Sequence, residues 1–394
     1  VTAPGSPQRH AVAADTVFDG ETVHRDCAVV IDGAAILALV PRRDLPAAIP
    51  VHDTPEGSWL APGFIDAQVN GGGDVLFNDA PTVEGIAAIV AAHRRFGTTS
   101  LLPTLISDSA DKMRAAAAAV NAALGVMPEV LGIHFEGPFL SPERAGVHDR
   151  SMIRPPAAGD LDLLTACRGG VTLVTLAPEW VPAGFVASLA AAGVRVALGH
   201  SMATYAETRT ALAAGLTGFT HLFNAMRPMA AREPGPIAAA LEEKGAFYGL
   251  IVDGEHVAPA MLRLALRGAG EAMLVSDAMP PVGGARREFD LAGKRIAVSG
   301  GRCTTADGTL AGSQLDMASA IRNCVRLLGL TLPEALRFAT AVPAVFLGVA
   351  DRLGRLAPGY RADIVALEPI EIRVLATSVA GSAAGFLETA TPPE

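Results

Sequence analysis

From about residue 95 onward the chain repeats one unit: a short apolar or β-branched run, a turn, then an alanine-rich amphipathic stretch. Strand-like runs fall at 98–104, 131–136, 171–178, 194–200, 218–223, 247–252 and 272–277, and a further one at 64–70 makes eight. Helix-like stretches follow most of them, at 109–124, 182–192, 204–214, 236–244 and 259–267. The strand-like runs are too apolar to alternate in polarity, as expected of strands buried on both faces of a parallel sheet. Eight such units over roughly 250 residues suit a closed (β/α)8 TIM-like barrel, although an open doubly wound sheet accommodates the same alternation. The ends of the chain read differently. Residues 10–57 carry short alternating runs (28–31, 36–40) separated by Asp-Gly turns, and 352–368 is another turn-rich, strand-like segment. The expected architecture is therefore α/β, with a barrel over 61–351 and a small β-sandwich domain built from 10–60 plus 352–385.

Composition narrows the function classes. Half of the residues are hydrophobic, enough apolar surface to offset the entropy of ordering and to exclude a disordered chain. No run approaches the ~18 uninterrupted apolar residues of a membrane span. The first residues, VTAPGSPQRHAVAADTV, lack the apolar core of a signal peptide, so a cytoplasmic protein without membrane partners is expected. A net charge of −9 lacks the basic footprint of a nucleic-acid binder. The cysteines Cys27, Cys167, Cys303 and Cys324 are scattered without a CxxC pair and read as reduced thiols. Residues 1–11 and 380–394 read as loose termini.

Chemistry concentrates where the strand-like runs end. These ends carry Asp66 with Gln68 and Asn70, His134 with Glu136, His200, His221 with Asn224, Asp253 with His256, and Asp277. Barrel enzymes place catalytic groups at the C-terminal ends of strands, so the shared position matters more than any one residue. A single histidine there is as readily a hydrogen-bonded interior side chain. One carboxylate and two imidazoles, Glu136, His200 and His221, form a three-ligand set that leaves a coordination position open for water. An ion held there lowers the pKa of bound water toward ~7. A separate carboxylate must then accept and return a proton, and Asp277 is placed for it, though aspartate is also common at turns and helix N-caps. His148 could donate a hydrogen bond to a substrate carbonyl or be an ordinary loop residue.

These stretches carry a resemblance. PGFIDAQVN (62–70), HFEGPFLSPERAGVHD (134–149), LGHS (198–201), THLFNAM (220–226), VDGEH (252–256), VSDAM (275–279), LAGS (310–313) and GRLAPGYRADIVAL (354–367) resemble the N-acetylglucosamine-6-phosphate deacetylase family of the amidohydrolase superfamily. The resemblance spans residues 12–368. It implies a metal-dependent hydrolase, cytoplasmic and homodimeric, that removes the N-acetyl group from N-acetylglucosamine 6-phosphate in amino-sugar catabolism to give glucosamine 6-phosphate and acetate. It also implies roles: Glu136, His200 and His221 as metal ligands, Asp277 as general base and acid, and His148 as the group polarising the acetamide carbonyl. Ala145, Asn224, Ala225, Leu310, Ala311 and Gly312 would contact the sugar phosphate. Arg232 and His256 would hold the phosphate, one partner of that pair coming from the neighbouring subunit of a dimer whose active site lies near the interface. A −9 chain that binds a phosphate needs such local positive charge.

One departure from the wider superfamily concerns the first strand, where many members carry His-x-His. Gln68 and Asn70 occupy those positions, and an amide is a poor zinc ligand beside imidazole. The expectation is one divalent ion per subunit, zinc first with iron, cobalt, manganese or nickel as alternatives, and Gln68 as hydrogen-bond neighbour of the metal's water. The alternatives are an amidohydrolase acting on a related N-acyl amino sugar or a cyclic amide, or an inactive sugar-phosphate sensor. Many cyclic-amide hydrolases use a carboxylated lysine, and no lysine occurs in the HFEGP strand.

Overall fold

The protein is described by a computed structural model covering residues 9–382. Eight strands form one sheet in chain order: β1 Phe64–Val69, β2 Thr98–Ile106, β3 Gly132–Glu136, β4 Val171–Leu176, β5 Arg195–Leu198, β6 Gly218–Phe219, β7 Phe247–Leu250 and β8 Glu271–Leu274. Neighbours from β2 to β8 pair in parallel. The two ends of the sheet approach each other, because Asp277 N–H donates to the Gln68 carbonyl at 3.0 Å and Asn70 N–H to the Ala278 carbonyl at 2.9 Å. These bonds nearly close the barrel and set aside the open doubly wound alternative. Every residue of β1 and β2 is buried, which accounts for their lack of alternation.

The expected helices appear as Ala110–Leu124, Phe185–Ala191, Tyr205–Ala213, Gly235–Glu242 and Pro259–Ala265. Two have side-chain caps: Ser109 accepts from Lys112 N–H, and Thr204 with Glu207 forms a reciprocal capping box. Five further α-helices, Val83–Arg94, Asp160–Leu164, Met317–Asn323, Leu332–Ala339 and Ala341–Leu347, were not anticipated. Nor was a four-stranded antiparallel sheet, Glu288–Leu291, Lys294–Ser299, Arg302–Thr304 and Leu310–Ser313, that follows β8. Its buried side joins Phe289, Leu291, Ile296, Cys303 and Ala311 to Leu76, Ile106, Val147 and Met279.

The described residues fall into two compact units: 66–93 with 101–316, and the remainder, which includes 9–65, 94–100 and 317–382. The helices between 317 and 347 group with this second unit. Its sheet has seven strands drawn from both ends of the chain, in the order Arg373–Ser378, Ile364–Glu368, Trp59–Pro62, His10–Phe18, Val23–Asp32, Ala35–Pro41, with Val51–Asp53 alongside His10–Phe18. Alternation predicts which residues face inward here. Val12, Ala14, Val29, Ile31, Ile364 and Ala366 are buried together, two apart along their strands. Strand pairing begins at His10, opposite Ile31, so the loose stretch expected over 1–11 does not extend that far; most of it, and of 380–394, lies outside the described residues. Among the described residues all four cysteines are free and buried, and no helix is long and apolar enough to cross a membrane.

Candidate metal centre and active site

Each strand end delivers one piece of the site. Glu136 is the last residue of β3, and His200, His221 and Asp277 lie two to three residues beyond the ends of β5, β6 and β8. The last three adopt φ of +48°, +34° and +50°. Non-glycine residues rarely occupy this left-handed region, and where they do they tend to cluster at functional sites.

Three of these side chains meet at one point. Glu136 Oε1 lies 3.1 Å from His200 Nε2 and 3.0 Å from His221 Nε2, and the two imidazole nitrogens are 3.1 Å apart. A tetrahedral ion with bonds near 2.0–2.1 Å has ligand-to-ligand edges of about 3.3 Å, so the donor set matches a zinc-type ion in size and in chemistry. The tautomer fits as well. His200 Nδ1 sits 2.7 Å from the Arg144 carbonyl, an acceptor only, so Nδ1 carries the proton and Nε2 keeps its lone pair. Burial opposes ionisation of Glu136, yet the neighbouring His200 and His221 rings hold its carboxyl well below the usual range. His148 shares the cluster, since with Glu136 and His200 it offers ligand atoms mutually within 4.8 Å. Its Nδ1, however, is held by Ser107, whose backbone N–H approaches at 3.3 Å and hydroxyl at 2.9 Å. A backbone N–H can only donate, so Nδ1 accepts and the neutral ring carries its proton on Nε2. Burial first, then His200, pushes His148 down to about 3, so the ring is neutral at pH 7.

Asp277 is buried and lines the same cavity. Burial, then the charge of Glu136, raises its carboxyl to about 6. Its Oδ1 accepts from Gln68 Nε2 at 3.1 Å and from Asn70 Nδ2 at 2.6 Å, and Gln68 Nε2 also donates to Glu136 Oε2 at 3.2 Å. Gln68 thus lies between the two carboxylates. The other face of the Asn70 amide, Oδ1, is buried without a partner, which costs about 1–3 kcal/mol.

The cavity has a volume of about 300 Å³. Asn224, Ala225, His256, Leu310 and Gly312 line it; Ala145 and Ala311 are buried but do not. His256 Nδ1 is 2.6 Å from Asp253 Oδ2. Arg232 is exposed and outside the cavity of its own chain. His134 lies beneath the site, hydrogen-bonded to Thr104 at 3.2 Å and Thr175 at 2.7 Å and pushed by burial down to about 4, an interior histidine of the ordinary kind. Sequence reasoning missed Arg144, whose residue lines the cavity and whose carbonyl orients His200, as well as Ser107 and the bond from Asn70 to Asp277. It also missed Glu179, which accepts from Ser201 Oγ at 2.7 Å and so anchors the turn after His200. Asn70 was visible as a strand-end polar residue; Ser107 and Glu179 lie 41 and 22 residues from the partners they hold, and the sequence offered no signal for them.

Comparison with known proteins follows the same lines. The amidohydrolase family matches residues 59–387. The N-acetylgalactosamine-6-phosphate deacetylase of Shewanella sp. (strain ANA-3) is 42% identical over 82% of each chain. The N-acetylglucosamine-6-phosphate deacetylase of Haemophilus influenzae is 34% identical over 95% of this chain and 98% of its own. The crystal structure of the Pasteurella multocida N-acetylglucosamine-6-phosphate deacetylase superposes with a TM-score of 0.91 at 34% identity, covering 95% of this chain and 98% of that one. A family match over most of the sequence, relatives of this similarity and a strand-end Glu/His/His cluster agree: the chain belongs to the amidohydrolase family.

Proposed function

We propose that this chain hydrolyses the acetamide of N-acetylglucosamine 6-phosphate to glucosamine 6-phosphate and acetate, using one divalent ion per subunit. The observation that carries the reading is the convergence of Glu136, His200 and His221 within 3.1 Å of one another, next to a buried carboxylate at Asp277. These three residues would hold the ion, zinc before iron, cobalt, manganese or nickel, and when bound it supplies Lewis acidity toward water and the amide carbonyl. Asp277 takes a proton from the attacking water as the C–O bond forms. It returns that proton to the nitrogen as the C–N bond breaks, because an unprotonated amide nitrogen leaves badly. His148, neutral with its proton on Nε2, donates to the carbonyl oxygen as negative charge develops there. Asn224, Ala225, Leu310 and Gly312 present the cavity wall to the sugar, backed by Ala145 and Ala311. Arg144 and His256 bring cationic or donor groups to a cavity that must receive a dianion. Arg232 serves the cavity of a neighbouring copy in a homodimer, in keeping with its exposure and its absence from its own cavity.

The replacement of His-x-His by Gln68 and Asn70, both occupied with Asp277, supports a single ion rather than two. A second substrate reading, the C4 epimer N-acetylgalactosamine 6-phosphate, is favoured by the 42% identity to a deacetylase of that sugar. Acetate release from both sugar phosphates, with unphosphorylated N-acetylglucosamine as control, tests the reading. Turnover requiring the phosphate supports it, and no acetate from either phosphate removes it.

A further inference from the structure

We propose that Asn70 is a positioning residue that holds Asp277 so that a single oxygen, Oδ2, exchanges the proton during amide hydrolysis; the inference rests on Asp277 being the base. Two amides end on the same carboxylate oxygen. Asn70 Nδ2 donates to Asp277 Oδ1 at 2.6 Å and Gln68 Nε2 at 3.1 Å, while Oδ2 has no hydrogen-bond partner among the described residues. An aspartate's terminal torsion is broad, so the side chain alone does not choose which oxygen faces a reactant. Rotation about that torsion here breaks both bonds. Gln68 divides its donor between Asp277 and Glu136, but the Asn70 side chain bonds Asp277 alone.

The orientation of the Asn70 amide has only one solution. Flipped, it would set its own oxygen 2.6 Å from a carboxylate oxygen. The orientation that avoids this leaves Asn70 Oδ1 buried and unpaired. Packing alone does not call for an orphaned acceptor, since an apolar or smaller residue would fill the position without one. The backbone on which the amide rides is fixed on both sides: Asn70 N–H donates to the Ala278 carbonyl at 2.9 Å, and the Asn70 carbonyl accepts from Phe77 N–H at 2.8 Å. A donor mounted on rigid elements can hold a reacting group within the small tolerance that proton transfer requires. Oδ2 gains the proton as water oxygen bonds to the acetyl carbon and loses it to nitrogen as the C–N bond breaks, so Asp277 ends as it began.

The test compares Asn70→Ala and Asn70→Asp with the wild type and Asp277→Asn, each loaded with metal. Acetate release is resolved into kcat and KM, and metal content and Tm are recorded. Asn70→Ala is expected to lower kcat roughly 10–100-fold. Its KM stays within about threefold, with metal content kept and a cooperative thermal transition retained. Asn70→Asp keeps the shape but replaces the donor with an acceptor, and falls below Asn70→Ala. A wild-type kcat in Asn70→Ala, a better kcat in Asn70→Asp than in Asn70→Ala, or a loss explained by lost metal overturns the proposal. A wild type that releases no acetate, or full turnover in Asp277→Asn, instead overturns the reading of the site and this inference with it.

Discussion

At the residue scale, hydrogen bonds decide which atom of each functional group is offered to the reaction. His200 presents Nε2 because its Nδ1–H is spent on the Arg144 carbonyl; His148 presents an N–H because Ser107 donates to its Nδ1. Removing a ligand should act on the ion first: His221→Ala or Glu136→Ala is expected to lose metal and activity together, as elemental analysis alongside the acetate assay will show. A second expectation concerns pH. Asp277 must be ionised to act as base, so activity falls as pH drops through its pKa. Burial and Glu136 raise that value to about 6 in the apoprotein, and a bound cation pulls it down. The acid limb of kcat/KM therefore lies at or below pH 6, and a limb at pH 7 or above in a pH–rate profile contradicts the assignment. Glu136, His200, His221 and Asp277 were legible in the sequence because the strand period places them at one shared end. Ser107 and Glu179 act through contacts between residues distant in sequence, and such contacts leave no periodic trace.

At the element scale, the barrel strands are held by close backbone approach as much as by apolar burial. Gly132 begins β3 opposite Val171, and a Cβ there would lie 1.8 Å from the Val171 carbonyl oxygen. Gly132→Ala should cost at least about 2 kcal/mol, read as a fall in the denaturant midpoint. The loop leaving the site after His148 is tied by Arg154, whose guanidinium holds Asp160 bidentately at 2.6 and 2.7 Å. Burial opposes ionisation of Asp160, but the Arg154 pair keeps its carboxyl below the usual range. Because the native value is depressed, the pair's contribution is whole above the ordinary aspartate value near 3.9 and is lost as pH falls through the native value. Asp160→Ala should cost about 2 kcal/mol at pH 7, discounted for the partly exposed arginine. The eight strands were legible because they read as short apolar runs bounded by turns and followed by helical stretches, as strands of a buried parallel sheet do. The sheet over 288–313 was not, because its first two strands mix buried and exposed positions, so they carry no continuous apolar run. The helices of 317–347 fall outside the strand-then-helix rhythm: Leu332–Ala339 and Ala341–Leu347 are separated by one residue, with no strand between them.

At the scale of the whole molecule, an acidic chain must receive an acidic substrate. The chain carries a net charge of −9, and Arg144 and His256 line the cavity beside the acidic Glu136, Glu143 and Asp277. Arg232 is exposed and outside that cavity, and the proposed homodimer would bring it to a second copy. Arg232→Ala alone should mainly raise KM for the phosphorylated sugar, since it touches a part remote from the reacting bond. If it serves a neighbouring copy, mixing inactive Asp277→Asn with Arg232→Ala subunits restores low-KM turnover, because one site of each mixed dimer is then complete. No recovery after verified subunit exchange places Arg232 elsewhere.

The central claim is that a strand-end Glu/His/His set and Asp277 together hydrolyse the acetamide of a sugar phosphate. Acetate release from N-acetylglucosamine 6-phosphate by metal-loaded wild type and metal-loaded Asp277→Asn tests it most directly. The account predicts wild-type turnover that falls by at least about 100-fold in the variant at equal metal content. Equal rates from the two proteins would contradict it.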